Sequence, residues 1–378
     1  MNRIFRLVWS RRTGSWVAVA ETCRACGVGR LAARLVQSAL GALPLLALAA
    51  PQGGQVVSGS AQIVQQGTVT TVTQTSPQAG LQWSSFNVGV GETVRFVQPS
   101  ASAIAVNRIR DTQGSQILGR LSANGQVYLI NPNGILFGRD AQVNVGGLVA
   151  STLDLDDSSL GGITRRFLGS GSGRVVNLGR IEAAEGGYVA LLGHQAVNQG
   201  VIAARLGTVV LAGGSATTLS FGGDSLLRVV VEASALDALA ENGGLLKADG
   251  GRVYLTAGAR DSLLASVVNH TGIIQAQTVE HRNGEVVLLA GMAAGTTRVG
   301  GLIDASAPSG GDGGFVETSA ARVKVAPDAR VTTASALGRA GTWLIDPVDF
   351  TIADTGGDMT PAALQAALAG GNVTVEST

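Results

Sequence analysis

The chain has 378 residues, of which 27 are basic and 26 acidic, and a formal net charge of +1. Aromatic residues make up 4%, charged residues 14%, and glycine occupies 54 positions. This composition favours stacked β-structure with glycine-rich corners over a globular helix-sheet core. Only nine prolines are present, which excludes a proline-rich stalk.

Residues 1–49 are predicted to be a targeting segment rather than part of the fold. They hold seven arginines and one acid, and an apolar run from Leu35 to Leu48 that Pro44 interrupts. The run is too short and too broken for a stable membrane span, and Ala47 and Ala49 provide an A-x-A cleavage site. We therefore predict an extended signal peptide, with an extension over 1–29 and a signal core over 30–49.

Cleavage after Ala49 changes the charge of the chain and removes both cysteines. It takes away seven of the 27 basic and one of the 26 acidic residues, which leaves 20 and 25, a net charge of −5. An acidic product argues against nucleic acid as a partner. Cys23 and Cys26 have C-x-x-C spacing, but one such pair cannot close a four-ligand zinc site. We expect no metal and no cofactor, and a cysteine-free mature chain suits passage through a pore in the unfolded state.

The first part of the mature chain, from Gln55 to Phe96, is polar and rich in Thr and Gln. Residues 68–73 contain only Thr and Val, with the alternation typical of a strand. Because stacked β-structure has open ends that invite edge-to-edge aggregation, we interpret this part as an N-terminal β cap.

The most informative stretch is a turn from Asn131 to Gly134, followed by Ile135. Pro132 presets φ near −65° at the second position, Asn131 can hydrogen-bond into the turn, and Asn133 and Gly134 tolerate its later positions. Strand formers precede the turn at 127–130 and follow it at 135–137. The pattern predicts a rigid hairpin or corner between two β segments.

Several sequence blocks surround this turn in a fixed order. They are Ser84–Gly89, Gly91–Ser100, Asn107–Ile109, Leu118–Leu121 and Asn124–Ile130. Together with the Asn-Pro-Asn-Gly turn, they resemble the N-terminal secretion domain of the filamentous haemagglutinin family, the exoproteins of Gram-negative two-partner secretion. The resemblance is strong over roughly residues 55 to 160. Residues 1–9 together with 16–21 resemble the extended signal region of large autotransporters and two-partner exoproteins.

The resemblance implies a fold, a route of export and a site. The implied fold is a right-handed parallel β-helix, and the implied partner is an outer-membrane β-barrel transporter with soluble periplasmic repeats. The inner-membrane export machinery would act through the signal peptide. The turn formed by Asn131, Pro132, Asn133, Gly134 and Ile135 would be needed for secretion, either by recognition or by nucleating folding at the surface.

A repeat beyond the turn predicts the same fold without the resemblance. The pattern Gly-x-(Ile/Leu)-x-Ala alternates with a period of two, and most copies are followed by a second apolar strand. Units of this size with glycine corners are the coils of a solenoid, since one unit alone cannot bury its apolar face. The interval of 44 residues between the second and third copies is expected to contain a degenerate copy near Leu226–Ala233. The copies are Gly179–Ala183, Gly200–Ala204, Gly244–Ala248, Gly272–Ala276 and Gly301–Ala305.

The predicted fold class is therefore all-β, a right-handed parallel β-helix with an N-terminal β cap and extra-helical hairpins. The cap and first coils are assigned to 50–160 and further coils to 161–345. Residues 346–378 are assigned to the start of a further, truncated segment with no evident C-terminal cap. Within that segment, 362–369 is expected to form a short helical insertion at most.

Residues able to perform catalysis are few. The histidines are His194, His270 and His281, and the mature chain has two lysines. Asp154–Asp157 is the one acidic cluster, and we favour a surface loop over a calcium site for it. The prediction is a non-enzymatic secretion domain, secreted or at the cell surface of a Gram-negative bacterium. It would form the front of an adhesin or haemagglutinin-type protein with a host-cell target further along. One alternative is a carbohydrate-active parallel β-helix enzyme resembling pectate lyases. The other is a free-standing adhesin that binds cells or matrix through these residues themselves.

Overall fold

The structure is a computed structural model that describes residues 5–10, 15–20, 50–221, 226–233, 237–258 and 267–377. The chain divides into two compact units, Met1–Leu46 and Ala47–Thr378. In the first unit, β1 (Phe5–Ser10) and β2 (Ser15–Ala20) pair antiparallel. The predicted cleavage positions Ala47 and Ala49 and the two cysteines lie outside the described residues. None of the described helices is long and apolar enough to cross a membrane.

The strands are numbered in chain order. The first group is β1 (Phe5–Ser10), β2 (Ser15–Ala20), β3 (Gln55–Ser58), β4 (Ala61–Gln66), β5 (Val69–Gln74), β6 (Gln78–Trp83), β7 (Thr93–Val97), β8 (Ile104–Ile109), β9 (Ser115–Ile117), β10 (Arg120–Ala123), β11 (Gln126–Ile130), β12 (Ile135–Phe137) and β13 (Gln142–Ser151). The second group is β14 (Asp154–Leu155), β15 (Thr164–Leu168), β16 (Arg174–Asn177), β17 (Arg180–Gly193), β18 (Gln195–Asn198), β19 (Val201–Ala203), β20 (Thr208–Gly213), β21 (Ala216–Phe221), β22 (Leu227–Ala233), β23 (Leu239–Asn242), β24 (Leu245–Lys247) and β25 (Arg252–Ala257). The third group is β26 (Val267–His270), β27 (Ile273–Gln275), β28 (Glu285–Ala290), β29 (Thr296–Val299), β30 (Leu302–Asp304), β31 (Phe315–Ala320), β32 (Arg322–Val325), β33 (Arg330–Thr332), β34 (Thr342–Pro347) and β35 (Asn372–Val375). A 3-10 helix spans Asp157–Ser159, and α1 spans Pro361–Gly370.

Three parallel ladders of strands wind around one apolar interior. Ladder 1 contains β5, β7, β10, the start of β13, the start of β17, β19, β24, β27, β30 and β33. Ladder 2 contains β6, β8, β11, the ends of β13 and β17, β20, β25, β28, β31, β34 and β35. Ladder 3 contains β9, β12, β16, β18, β23, β26, β29 and β32. The all-β parallel β-helix predicted from the sequence is confirmed.

The sequence repeat is the register of ladder 1. The central aliphatic residue of each copy pairs with that of the next, from Ile181 through Ile202 and Leu246 to Ile274 and Ile303. All five side chains are fully buried. Because equivalent positions stack in this way, neighbouring coils together bury apolar side chains that a single coil would leave exposed to water.

Each repeat begins with glycine because consecutive coils approach closely at that corner. A β-carbon at Gly244 would overlap the carbonyl oxygen of Gly200, and one at Gly272 would overlap the carbonyl oxygen of Gly244. Any larger residue would therefore push two coils apart, so four of the five glycines follow from backbone proximity alone. Gly301 adds a φ of 60° to the same close approach.

The expected degenerate coil near Leu226–Ala233 is wrong. Ladder 1 passes directly from β19 to β24, and residues 227–233 form β22, which pairs antiparallel with β21 outside the β-helix. With β14 and β15 they make a four-stranded antiparallel sheet, which we name the outer sheet. The extra-helical elements predicted from the sequence are thus present, and they are joined into one sheet.

The ends of the coil stack differ from each other. At the N-terminal end, β3 pairs antiparallel with β6, and β4 with β5, which forms the predicted cap. At the C-terminal end, α1 lies against β33, with Ala363 and Ala367 buried in the interior and the Thr333 amide donating to the Gly370 carbonyl at 2.9 Å. The helix was expected, but its covering of the last strand of ladder 1 was not.

Candidate functional site

The turn at Asn131–Gly134 is a corner of one coil. It follows β11 of ladder 2 and precedes β12 of ladder 3, and these two strands pair with other coils rather than with each other. Of the two forms predicted from the sequence, hairpin and corner, the structure has the corner. The Gly134 amide donates to the Asn131 carbonyl at 3.0 Å and closes the turn.

Asn131 holds this corner together from inside. Its side chain is fully buried, and Nδ2 donates to the Gln113 carbonyl at 3.1 Å and to the Ser115 hydroxyl at 3.0 Å. Its Oδ1 accepts from the Asn133 amide at 3.0 Å, and its own backbone amide donates to the Ser151 carbonyl at 2.9 Å. One residue therefore connects segments from three consecutive coils, and each of its buried polar atoms is satisfied.

The other turn residues divide into exposed and buried members. Pro132 and Asn133 are exposed, although Asn133 Nδ2 donates to the Asp111 carbonyl at 2.6 Å. Gly134 is buried with φ of 111°, and a β-carbon there would lie 3.0 Å from the Arg174 carbonyl oxygen. This position therefore requires glycine. Ile135 is 2% exposed and continues into the interior of ladder 3.

A glycine-serine segment, residues 169–173, passes beside the turn, and its role was missed in the sequence. A β-carbon at Gly171 would lie 2.8 Å from the Pro132 carbonyl oxygen, and one at Gly173 would lie 2.6 Å from the Asn133 carbonyl carbon. The signal was the alternation Gly-Ser-Gly-Ser-Gly itself, because glycine at every second position allows one side of an extended segment to approach backbone closely.

An open groove of about 710 Å³ lies next to the turn on the outside of ladder 3. Carboxamide and charged side chains dominate its polar lining, with Leu136 and Val176 as its apolar floor. The polar residues include Asn87, Asp111, Gln113, Gln116, Asn133 and Arg174.

The carboxylates of the acidic cluster at 154–157 form structural contacts with neighbouring residues. Arg108 Nε binds Asp154 at 2.7 Å, and Arg108 Nη2 binds Asp157 at 2.8 Å. Burial acts to lower the pKa of Arg108, but its hydrogen bonds to the two carboxylates outweigh this and raise it above the ordinary value. Asp156 caps the 3-10 helix by accepting from Ser158, whose hydrogen bonds lower the pKa of Asp156.

The buried histidine ends an internal row of amides. Asn177 Nδ2 donates to Asn198 Oδ1, and Asn198 Nδ2 to Asn242 Oδ1, each at 2.8 Å. Asn242 Nδ2 then lies 3.2 Å from His270 Nδ1, and His270 Nε2 lies 3.1 Å from the Leu302 carbonyl. Because the amide nitrogen Nδ2 of Asn242 can only donate, Nδ1 of His270 is the acceptor and Nε2 of His270 carries the proton. Burial lowers the pKa of His270 to about 4, so the ring is neutral at pH 7.

The remaining candidate residues are dispersed. His281 is exposed, and Lys247 and Lys324 form ion pairs with Asp249 at 3.2 Å and Asp358 at 2.6 Å. Within the part of the chain that the structure describes, no group of three or more His, Cys, Asp or Glu side chains is arranged to hold a metal ion.

Comparison with known proteins gives two family matches. Residues 47–299 match the model of the TPS secretion domain. Residues 1–50 match the model of the Extended Signal Peptide of Type V secretion system.

Relatives and a solved structure agree with these matches. The chain is 38% identical over 250 residues to a Heme/hemopexin-binding protein of Haemophilus influenzae, which covers 64% of this chain and 27% of that protein. A second Haemophilus influenzae protein of the same name is 35% identical over 244 residues, covering 58% of this chain and 26% of the relative. The chain thus spans about a quarter of the length of these relatives. The crystal structure of the HMW1 secretion domain from Haemophilus influenzae is similar with a TM-score of 0.68 and 25% identity, over 86% of this chain and 82% of that one.

Proposed function

The chain belongs to the family of TPS secretion domains, and from this premise we propose that it targets itself to a dedicated outer-membrane β-barrel transporter and nucleates β-helix folding at the cell surface. With an extended signal peptide ahead of the TPS domain, it is a secreted protein that passes through the periplasm of a Gram-negative bacterium. The observation that carries the folding role is the Asn131 corner, where the buried side chain joins its own coil to the preceding one and the backbone amide binds the following one.

Strand addition is the mode of transporter binding that we propose. Within the described residues, β3 pairs only with β6 and β4 only with β5, so each has one free edge. An extended segment with unpaired backbone groups can join the sheet edge of a soluble repeat in the periplasm, where main-chain hydrogen bonds supply affinity. The segment would then be withdrawn into the cap as folding proceeds outside.

Folding itself would give export its direction. Each coil that emerges buries one more layer of the interior, for example Ile202 on Ile181, and the buried apolar area makes return to the periplasm unfavourable. No nucleotide is needed at that step, because the free energy of burial is gained outside. The corner at 131–134 has to form early, since later coils stack on the ladder strands it positions.

Export of the full chain from a Gram-negative host, with and without its cognate barrel, tests targeting. We expect folded, protease-resistant protein in the culture fluid only when the barrel is present. Equal export without the barrel, or a folded periplasmic product in both cases, would remove the proposed function.

Two variants separate recognition of the turn from its role in folding. The double variant Asn131→Ala with Gly134→Ala should reduce export and slow refolding of the purified chain, since both the buried hydrogen bonds and the corner are lost. Gly243→Ala, at an open glycine whose nearest atom lies 3.7 Å from the added carbon, is the matched control. Reduced export with unchanged refolding would assign the turn to recognition instead.

A binding role rather than catalysis is our proposal for the exported protein. The two relatives are named as heme/hemopexin-binding proteins. In this chain Asp154 and Asp157 of the acidic cluster, and both lysines of the mature chain, are engaged in ion pairs. Capture of haem-loaded hemopexin by the exported chain would support the same class of ligand. Depolymerisation of polysaccharide would favour the carbohydrate-active alternative.

A further inference from the structure

The outer sheet encloses a second apolar core against the outside of ladder 2. Strands of ladder 2 from β8 to β20 contribute side chains from one side, and β14, β15, β21 and β22 contribute from the other. These positions are buried, so ladder 2 is covered on both faces over this length. The contributing side chains include Ile104, Val106, Tyr128, Ile130, Val149, Leu192, Val210, Leu155, Phe167, Leu219 and Leu227.

The outer sheet is assembled from two separate insertions. β14 and β15 follow β13, whereas β21 and β22 follow β20, and the two pairs meet where β15 pairs antiparallel with β21 from Thr164↔Ser220 to Leu168↔Ala216. The sheet is therefore incomplete until the coil that precedes β21 has formed. It is also tied to earlier strands, because Arg108 on β8 binds Asp154, Asp157 and the Leu155 carbonyl.

Arg165 on β15 makes the packing of β14 and β15 against ladder 2 depend on the presence of β21. Its guanidinium carbon lies 4.0 Å from the ring centroid of Phe221 on β21 and 6.0 Å from that of Tyr128 on β11. Its Nε and Nη1 are buried without a hydrogen-bond partner. Placing these atoms against ladder 2 costs hydration free energy, and the aromatic face of Phe221 offsets part of this cost by a cation–π contact. Without β21, that compensation is missing.

We propose that the outer sheet is a latch, which closes only when β21 joins β15 and which then holds the coils from β8 to β20 together. Before closure, the first coils can open reversibly, because the outside of ladder 2 is still in water. After closure, no one of these coils can separate without breaking the second core. A chain that has emerged at least to Phe221 is committed to the folded state. This consequence for export rests on the proposed function, whereas the latch itself is a property of the refolding chain.

Pulsed amide hydrogen exchange during refolding of the full chain from urea tests the latch. We expect the amides of β8, β11, β15 and β21 to become protected in one common step. Phe221→Ala should slow that step about ten-fold, because Arg165 loses its aromatic cover. Phe315→Ala is the matched control, since Phe315 on β31 is 36% exposed and lies outside the second core. Protection of β8 and β15 ahead of β21 in the unaltered chain would overturn the proposal.

A second variant keeps the test decisive if Phe221→Ala does not fold. Arg165→Met removes the charge that has to be covered, so β15 should now become protected before β21. If the amides of β15 and β21 still become protected together in this variant, the role assigned to Arg165 is contradicted. No transporter takes part in refolding, so the refolding experiment tests the latch alone. The latch can be disproved while export still depends on the barrel, and export can prove independent of the barrel while the latch is supported.

Discussion

At the scale of single residues, His270 shows how a titratable group can serve a purely structural role. Its Nδ1 accepts a hydrogen bond from Asn242 and its Nε2–H donates one to the Leu302 carbonyl, and the first contact needs the neutral ring. A protonated Nδ1 would face the Asn242 donor inside the coil stack. Burial lowers the pKa of His270 to about 4, below the usual value of 6.5 for a histidine side chain.

This lowered pKa predicts a loss of stability in acid. Between pH 6.5 and 4 the unfolded chain binds a proton that the folded chain does not, so the free energy of unfolding falls by up to about 3 kcal/mol as the pH falls. His270→Asn should abolish this contribution, since asparagine can continue the row of amides with no proton to bind. Urea unfolding at pH 7 and pH 4.5 measures it. The exposed His281→Asn is the control, and an unchanged pH dependence in His270→Asn would contradict the assignment.

At the scale of elements, the glycine corners set the distance between coils. Gly244→Ala would overlap the Gly200 carbonyl oxygen, whereas the neighbouring Gly243→Ala meets only the Thr271 hydroxyl at 3.7 Å. We expect the first to lower the free energy of unfolding by about 2 kcal/mol or more, and the second to change it by less than about 1 kcal/mol. Equilibrium urea unfolding of both variants measures the difference. Equal effects would mean that the backbone relaxes freely at this corner.

The same elements show what could be predicted from the sequence. The Gly-x-(Ile/Leu)-x-Ala pattern gave the register of ladder 1, because each pattern position has one fixed environment in a stacked coil. The assignment of 226–233 to a coil failed because Val229 and Val231 alternate with the same period of two in an antiparallel edge strand. Alternation reports that one face is buried, and it does not report which strand is the partner.

For the candidate site, the conformation of the turn could be predicted from the sequence, but the residues that surround the turn could not. The turn residues could be assigned from local chemistry, since Pro132 and Gly134 restrict the backbone wherever they occur. What lies around the turn could not, because Gln113, Ser115 and Gly173 approach Asn131–Gly134 only after neighbouring coils have stacked. Arg108 likewise has no local pattern that would indicate its carboxylate partners on β14 and the 3-10 helix.

At the scale of the whole molecule, the two halves of the coil stack have different burial. From β8 to β20, ladder 2 lies between the interior and the outer sheet, and side chains such as Ile130, Ala190 and Val210 are buried on the outside as well. From β28 onward, outward positions such as Val287 and Leu344 are partly exposed. Because apolar burial contributes about 25 cal/mol per Å², the first half has the larger local stability.

This difference predicts a gradient of local unfolding along the chain. Under native conditions with low urea, amides of β28, β31 and β34 should exchange through openings at least about ten-fold more frequent than those that expose β11, β17 and β20. Solenoid coils contact mainly their neighbours, so the later coils can open without the earlier ones. Native-state hydrogen exchange resolved by strand measures the gradient. Val287→Thr makes an outward position of β28 polar and should leave the gradient in exchange unchanged. Leu219→Ser places a polar side chain in the second core and should reduce the gradient. Uniform exchange in the unaltered chain would show that the outer sheet adds no local stability and that the coils open as one unit.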